Sequence, residues 1–178
     1  MEELNLRLIN VESFKVIGIT SEDCCDFNEM IFEDTCGKVW RKFIMEKVSG
    51  RIPNKIDDKV YAVYFDYPEI NAKKASYLVG SKVSADTEVP KGMKCLTVEG
   101  GTYLKVTTTD KVPECHTDTW KTIWASHMAR TFKTDFEVYD TDIQHWRSAN
   151  MDVFIGISLS AAQLEGLPGY IQNNISYH

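Results

Sequence analysis

The feature that most constrains the fold is an order of secondary structure that occurs twice. In each half, a segment rich in β-branched residues precedes an amphipathic helix, and two further apolar strands follow. The helix residues Trp40 and Phe43 recur as Trp120 and Ile123, each 80 positions further along the chain. This pattern predicts an internal duplication of a strand–helix–strand–strand (βαββ) unit.

Six segments are predicted to be strands because β-branched and aromatic residues dominate them. They lie at residues 14–20, 60–65, 76–83, 102–108, 135–139 and 152–159. Two βαββ units, at about 14–85 and 93–159, would each expose an apolar sheet face and bury it by pairing across a pseudo-twofold axis. The sequence therefore predicts one α+β domain over 1–178, with a mostly antiparallel sheet, two long helices and a surface extension at 160–178.

Both helices are predicted from apolar residues at helical spacing. The first covers 38–48, with Asp34 or Thr35 as a candidate cap and Gly50 and Pro53 as stop signals. The second is expected to be capped by Thr117 or Asp118. Its apolar face is predicted to consist of Trp120, Ile123, Trp124, His127 and Met128.

Charge and hydropathy exclude several classes of protein. The net charge is −6, and no cluster of Lys and Arg forms the basic patch that nucleic-acid binders present. No apolar run approaches the ~18–20 residues of a membrane span. The first residues lack the basic and apolar regions of a signal peptide. We therefore expect a cytoplasmic protein with no direct nucleic acid binding and no membrane contact.

The cysteines and the short motifs favour neither a metal nor a cofactor. None of the five cysteines forms a Cys-x-x-Cys pair, and Cys24 and Cys25 are adjacent. Cys115 and His116 have no second pair of ligands at metal-binding spacing. The chain also has no phosphate-binding loop, no dinucleotide glycine pattern and no His-Glu-x-x-His motif. We expect reduced thiols, no metal and no cofactor.

Glu137 is the unusual residue of the strand at 135–139. Glutamate is a poor strand former, and this one stands between two apolar residues. Alternation along the strand places it on the same face as Asp135 and Tyr139. Two interpretations are open at this point. Glu137 either points into water from an edge strand, or forms the charged part of an apolar cleft that a cationic ligand neutralises.

Five motifs, in this order, resemble those of a known family. They are FKVIGI at 14–19, WRKF at 40–43, GGTYLKV at 100–106, TWKTIW at 119–124 and FEVY at 136–139. The resemblance is to the GyrI-like domain, a multidrug-sensing effector-binding domain that is also appended to AraC-type and MerR-type transcription regulators. It covers residues 14–159, and the remaining residues are too few for a helix-turn-helix, so a stand-alone member is expected.

The resemblance implies a tandem βαββ fold and a binding function. In the family, the glutamate of the FEVY-like motif faces bulky lipophilic cations in an aromatic-lined pocket. Carried over, this makes Glu137 the anionic contact, and burial in an empty pocket is expected to raise its pKa. The candidate aromatic walls are Trp40, Tyr64, Trp124, Tyr139 and Phe154, although aromatic residues at helical spacing fit a core equally well. The expected partner is a lipophilic or cationic small molecule.

Two alternatives belong to other functional classes. Some stand-alone members of the family hydrolyse reactive cyclopropane-containing toxins. In such an enzyme Glu137 would activate water as general base, and Tyr139 would polarise the substrate carbonyl. The family's namesake inhibits gyrase, so a protein-binding module is the other alternative.

Overall fold

The computed structural model of the chain describes residues 5–28, 35–68, 73–108, 114–140, 150–159 and 176–177. Its strands are β1 Asn5–Val11, β2 Phe14–Thr20, β3 Cys25–Asp26, β4 Val60–Phe65, β5 Lys74–Val83, β6 Lys94–Val98, β7 Gly101–Thr107, β8 Arg130–Tyr139, β9 Met151–Ile157 and β10 Ser176–Tyr177. Its helices are α1 Cys36–Met45, α2 Val48–Arg51 and α3 Glu114–Ala125. None of the helices in these residues is long and apolar enough to cross a membrane.

The strands form one sheet in the order β10-β1-β7-β9-β8-β4-β5-β2-β6, and β3 pairs with β5 outside this path. Apart from the parallel pair of β1 and β10, the ladders between these strands are antiparallel. The predicted α+β class with a mostly antiparallel sheet is confirmed.

The order strand, helix, strand, strand occurs twice in the structure. It appears as β2-α1-β4-β5 and again as β7-α3-β8-β9. The two sets meet where β4 and β8 pair in antiparallel fashion, with Val60 opposite Tyr139 and Ala62 opposite Glu137. Glu137 therefore lies on a central strand, at the junction of the two βαββ units.

The sequence did not predict that two strands are exchanged between the units. β1 precedes β2 in the chain but pairs with β7, and β6 precedes β7 but pairs with β2. The two connecting segments pass close together at Gly100. A Cβ at Gly100 would lie 2.8 Å from Ser13 N and 3.0 Å from Val11 O. Only glycine, which has no Cβ, allows these two segments of the chain to pass so closely without displacement.

Both faces of the central strands are buried. The face covered by the helices holds the larger core, whose least exposed aromatic residues, at 2% or less, are Trp40, Phe43, Tyr64, Tyr77, Trp120 and Tyr139. A smaller cluster on the opposite face includes Phe136 and Val63. Glu137 is 0% exposed. The interpretation that it points into water is therefore wrong.

The first helix is shorter than predicted. α1 ends at Met45, and Lys47 adopts a left-handed conformation with φ 50° before α2 begins. Gly50 lies inside α2, so it does not stop the helix as predicted. Thr35 is the N-cap residue, but its side chain makes no capping hydrogen bond.

The second helix begins and ends earlier than predicted. Thr117 and Asp118 lie inside α3, so neither caps it. His127 and Met128 follow the end of α3 at Ala125, and His127 is exposed rather than packed against the core. Most of the predicted surface extension, at 160–175 and 178, lies outside the described residues.

Candidate functional site

Glu137 accepts three hydrogen bonds from neutral aromatic side chains. Trp120 Nε1 and Tyr64 Oη donate to its Oε1 at 2.7 Å and 2.9 Å. Tyr139 Oη donates to Oε2 at 2.6 Å. These donors come from α3, β4 and β8, so the carboxylate joins both βαββ units. Hydrogen bonds to an ionised acceptor are short and about twice as strong as neutral ones.

His116 is the fourth group in contact with the carboxylate. Its Nε2 lies 2.7 Å from Glu137 Oε1, and it forms an ion pair with Glu137 when it is protonated. The same nitrogen lies 3.0 Å from Tyr64 Oη. His116 precedes Trp120 by one turn of α3, and residues i and i+4 of a helix face the same side. One face of α3 therefore supplies two of the four contacts.

The electrostatics of the site favour an ionised Glu137. Burial alone, the largest single effect, raises the pKa of Glu137, whereas His116 and the hydrogen bonds from His116, Tyr139 and Trp120 lower it. The net result is a pKa below the ordinary value. The expectation that burial would raise the pKa is therefore wrong, because the chain itself supplies compensating donors.

The surrounding tyrosines remain neutral hydrogen-bond donors. Burial, followed by the negative charge of Glu137, raises the pKa of Tyr64 and the pKa of Tyr139 well above the ordinary value. Burial also raises the pKa of Tyr77, whose hydroxyl accepts a 2.8 Å hydrogen bond from Trp40 Nε1. Glu137 therefore carries the negative charge of this cluster.

Aromatic rings form a layer around the carboxylate. Ring centroids are 4.7 Å apart for Tyr64 and Trp120 and 4.7 Å apart for Trp40 and Tyr139. Phe27 packs on the same layer, at 4.9 Å from Trp120 and 5.2 Å from Tyr64. We call these five residues the aromatic layer. Phe27 belongs to the segment 21–34, whose six acidic residues and lack of Lys and Arg predict a solvated loop. Its contacts show that part of this segment packs against the interior instead.

The aromatic layer is extended by Trp124, which is half-buried and 5.2 Å from Phe27 between ring centroids. Arg130 already lies against Trp124 and Phe132, with its Cζ 4.3 Å from each ring centroid. Its Nη2 donates to Asp135 Oδ2 at 2.7 Å. One face of Trp124 is thus in contact with a cation of the chain itself.

The structure unites most, but not all, of the predicted site residues. Trp40, Tyr64 and Tyr139 belong to the aromatic layer, and Trp124 lies at its edge. Phe154 is on the opposite face of the sheet, stacked on Phe136 with ring centroids 4.5 Å apart. It is not near Glu137, because it is opposite Phe136 in the register of β9 and β8.

Three residues of the cluster were not predicted as site residues. The sequence predicts Trp120 as part of a helix face in the core, offers His116 only as a candidate metal ligand, and predicts a solvated loop at Phe27. The spacing of His116 and Trp120 was a usable signal, since both lie on one helix face that packs against the sheet. No comparable signal marks Phe27, whose partners are distant in sequence.

A cavity of about 250 Å³ opens elsewhere, between the end of β2 and the start of α1. Its lining is Thr20, Ser21, Glu22, Asp23, Thr35, Lys38, Val39 and Lys42. The two acids and two lysines balance in charge, so this cavity has no electrostatic preference for a cation. None of the four groups that contact Glu137 lines it.

Two cysteine side chains near the aromatic layer are buried. Cys25 Sγ and Cys36 Sγ lie 2.7 Å apart, and burial followed by the contact with Cys25 raises the pKa of Cys36 well above the ordinary value. Cys24, Cys25, Cys36 and Cys95 are free, and the side chain of Cys115 lies outside the described residues. Within the described ranges, no group of three His, Cys, Asp or Glu side chains is arranged to hold a metal ion.

Comparison with known proteins identifies the family. The profile of Cass2, an integron-associated effector binding protein, matches residues 7–157. A crystal structure of an integron cassette protein from Vibrio cholerae superposes with a TM-score of 0.65 at 18% identity, over 87% of this chain and 97% of that one. The structure of SAV2435 bound to tetraphenylphosphonium superposes with a TM-score of 0.58 at 12% identity, over 88% and 94% of the two chains.

A curated relative is also similar in sequence. The putative transcriptional regulator protein YobU of Bacillus subtilis (strain 168) is 24% identical over 133 residues, which is 72% of this chain and 83% of YobU. The resemblance to GyrI-like effector-binding domains is confirmed. The chain belongs to the Cass2 family of integron-associated effector-binding proteins.

Proposed function

We propose that this protein binds lipophilic, often cationic, small molecules, and that Glu137 is the anionic contact of the ligand. The observation that carries the proposal is a fully buried carboxylate whose pKa is lowered and whose neighbours are aromatic rings. A charge in such a position is costly unless it is compensated, and the hydrogen bonds and the contact with His116 keep this carboxylate ionised without a ligand. A cationic ligand is a partner of suitable charge, and the family is one of effector-binding proteins.

The aromatic layer adds attraction of its own. A cation above the face of an aromatic ring gains roughly 0.5–2 kcal/mol per ring, more as water is removed. Three residues donate hydrogen bonds to Glu137 and also place their rings around it, namely Tyr64, Trp120 and Tyr139. SAV2435, which shares the fold, is bound to tetraphenylphosphonium, a cation that consists almost entirely of aromatic surface. This observation on a relative supports the same ligand class here.

The alternative of hydrolysis finds less support in the geometry. A general base works best with a pKa near the operating pH, whereas the pKa of Glu137 is lowered. The hydroxyl of Tyr139 donates its hydrogen bond to Glu137, so in this arrangement Tyr139 does not polarise a substrate carbonyl. Binding without turnover is therefore the function we propose.

Glu137→Gln tests the proposal with two ligands of similar size. Loss of a charged contact is expected to weaken tetraphenylphosphonium binding by about 1.5–3 kcal/mol, or about 10- to 150-fold in Kd. Neutral triphenylphosphine oxide should lose much less, because its affinity comes mainly from apolar burial. Isothermal titration calorimetry measures both. Equal affinities of wild type and Glu137→Gln for the cation would refute the proposal.

Asp152→Asn is the matched control. Asp152 lies on the neighbouring strand β9, is partly exposed, and pairs with Lys105 at 3.2 Å. Its replacement changes the net charge by the same amount without touching the aromatic layer, and should leave both affinities unchanged. Mass analysis of a reactive cyclopropane compound after incubation separates the enzyme alternative. Turnover by wild type that Glu137→Gln abolishes, with binding intact, would favour hydrolysis.

A further inference from the structure

The carboxylate of Glu137 already has a positive partner in the chain. His116 Nε2 lies 2.7 Å from Glu137 Oε1, and the two side chains are 6% and 0% exposed. A cationic ligand that uses Glu137 must approach the same carboxylate. Two positive charges beside one carboxylate in a buried site repel each other more strongly than they would in bulk water.

Of the four groups that contact Glu137, His116 is the one that carries a positive charge when it is protonated. Histidine is the side chain that ordinarily titrates between about pH 5 and 8. The other three contacts are a tryptophan and two tyrosines, and the pKa of each tyrosine is raised. The titratable or charged groups that face this cluster from the other elements packed on it are Tyr77 on β5, Cys25 on β3, Cys36 on α1 and Arg130 on β8.

None of these further groups replaces His116 in this role. The pKa values of Tyr77 and Cys36 are raised, and Cys25 contacts Cys36 as a free thiol. Arg130 is paired with Asp135 at 2.7 Å. The charge that meets Glu137 therefore depends on the protonation of His116.

We propose that His116 determines which ligands the site accepts, because its protonated ring and a cationic ligand compete for Glu137. Binding of a cation is then coupled to the release of a proton from His116. Neutral lipophilic ligands leave the contact between His116 and Glu137 in place, so they bind without this coupling. The site selects for neutral ligands at low pH and accepts cations as the pH rises. This inference rests on the proposed function of Glu137.

The sign and size of the effect follow from linkage. When binding releases one proton, affinity rises with pH by at most about ten-fold per pH unit, and becomes constant once the free protein has already lost that proton. We expect the affinity of wild type for tetraphenylphosphonium to increase with pH when it is measured from about pH 5.5 to about pH 8, the range in which histidine side chains ordinarily titrate. The affinity for triphenylphosphine oxide should be constant over the same range.

The experiment compares wild type with His116→Asn by calorimetry over this pH range. The variant keeps a polar side chain without a titrating ring, so its affinity for tetraphenylphosphonium should not depend on pH. At low pH it should bind the cation more tightly than wild type does. Buffers with different ionisation enthalpies count the released protons, and wild type should release up to about one proton per bound cation.

Several outcomes would overturn the inference. The inference is refuted if wild type binds the cation without releasing a proton. Counting the released protons needs no variant, so poor folding of His116→Asn does not prevent this test. A variant with the pH profile of wild type would also refute it. If Glu137→Gln weakens cation binding while the pH dependence is absent from wild type, only this inference fails. If wild type does not bind the cation at any pH, the proposed function fails as well.

Discussion

Replacing Trp120 by phenylalanine removes one hydrogen-bond donor from Glu137 and keeps most of the buried ring. Trp40 provides a matched control, because it occupies the corresponding place on α1 and is also buried. Its Nε1 donates over 2.8 Å to the neutral hydroxyl of Tyr77, whereas Trp120 Nε1 donates over 2.7 Å to a carboxylate. The two substitutions delete the same atoms, and the main difference is the charge of the acceptor.

The magnitude follows from that difference. A hydrogen bond to a charged group contributes about 1.5–3 kcal/mol to the free energy of unfolding, and one between neutral groups about 0.5–1.5 kcal/mol. The loss of apolar area is similar in the two variants and largely cancels. Trp120→Phe should therefore destabilise the protein by about 1–1.5 kcal/mol more than Trp40→Phe does.

Urea unfolding followed by far-ultraviolet circular dichroism measures both free energies at neutral pH. Phenylalanine is apolar and of related shape, so both variants are expected to fold. Equal losses in the two variants would show that the acceptor of Trp120 carries no charge. The assignment of Glu137 as an ionised carboxylate would then be refuted, and with it the electrostatic basis of cation binding.

Three further predictions concern acid stability, packing and thiol exposure. Because the folded-state pKa of Glu137 is lowered, ionised Glu137 stabilises the fold above its unfolded pKa, and this stabilisation is lost as the pH falls through the folded pKa. Melting temperatures in acid should therefore fall more steeply for wild type than for Glu137→Gln, and equal slopes would contradict this. Gly80→Ala should prevent folding or lower the free energy of unfolding by more than about 3 kcal/mol, because the new Cβ would lie 2.1 Å from Ile17 O. The control is Gly50→Ala, whose Cβ would have no atom within 4 Å, and which should be neutral or slightly stabilising in the same urea titration. Iodoacetamide should modify exposed Cys95 in the native protein and buried Cys36 only after unfolding, as peptide mass mapping would show; equal rates would refute the burial of Cys36.

The predicted strands illustrate what local sequence can establish. The strands predicted at 14–20 and 60–65 coincide with β2 and β4, because β-branched and aromatic residues dominate both. The prediction at 135–139 found only the end of β8. The earlier part of β8 contains an irregularity in its pairing with β9 between Arg130 and Asp135, and Phe132 has a left-handed φ of 53°. No regular alternation marks such a segment in the sequence.

The exchange of β1 and β6 between the units shows what sequence pattern leaves undetermined. Each is separated from the next strand by two residues, a length that suits a hairpin. The chain instead passes to the other unit, where each strand pairs with a partner far away in sequence. Such pairings depend on the shape of the whole sheet.

By itself the sequence determined the two βαββ units, the apolar faces of their helices and the strand face that Glu137 shares with Tyr139. These are local properties, since a periodicity of 2 or 3.6 residues is set by the backbone alone. Only the tertiary structure decided that Phe154 faces away and that Glu137 is in contact with His116. Trp120, His116 and Tyr64 lie 17, 21 and 73 positions from Glu137 in the sequence. They meet it because β4 pairs with β8 and α3 packs across them, and no local pattern encodes those contacts.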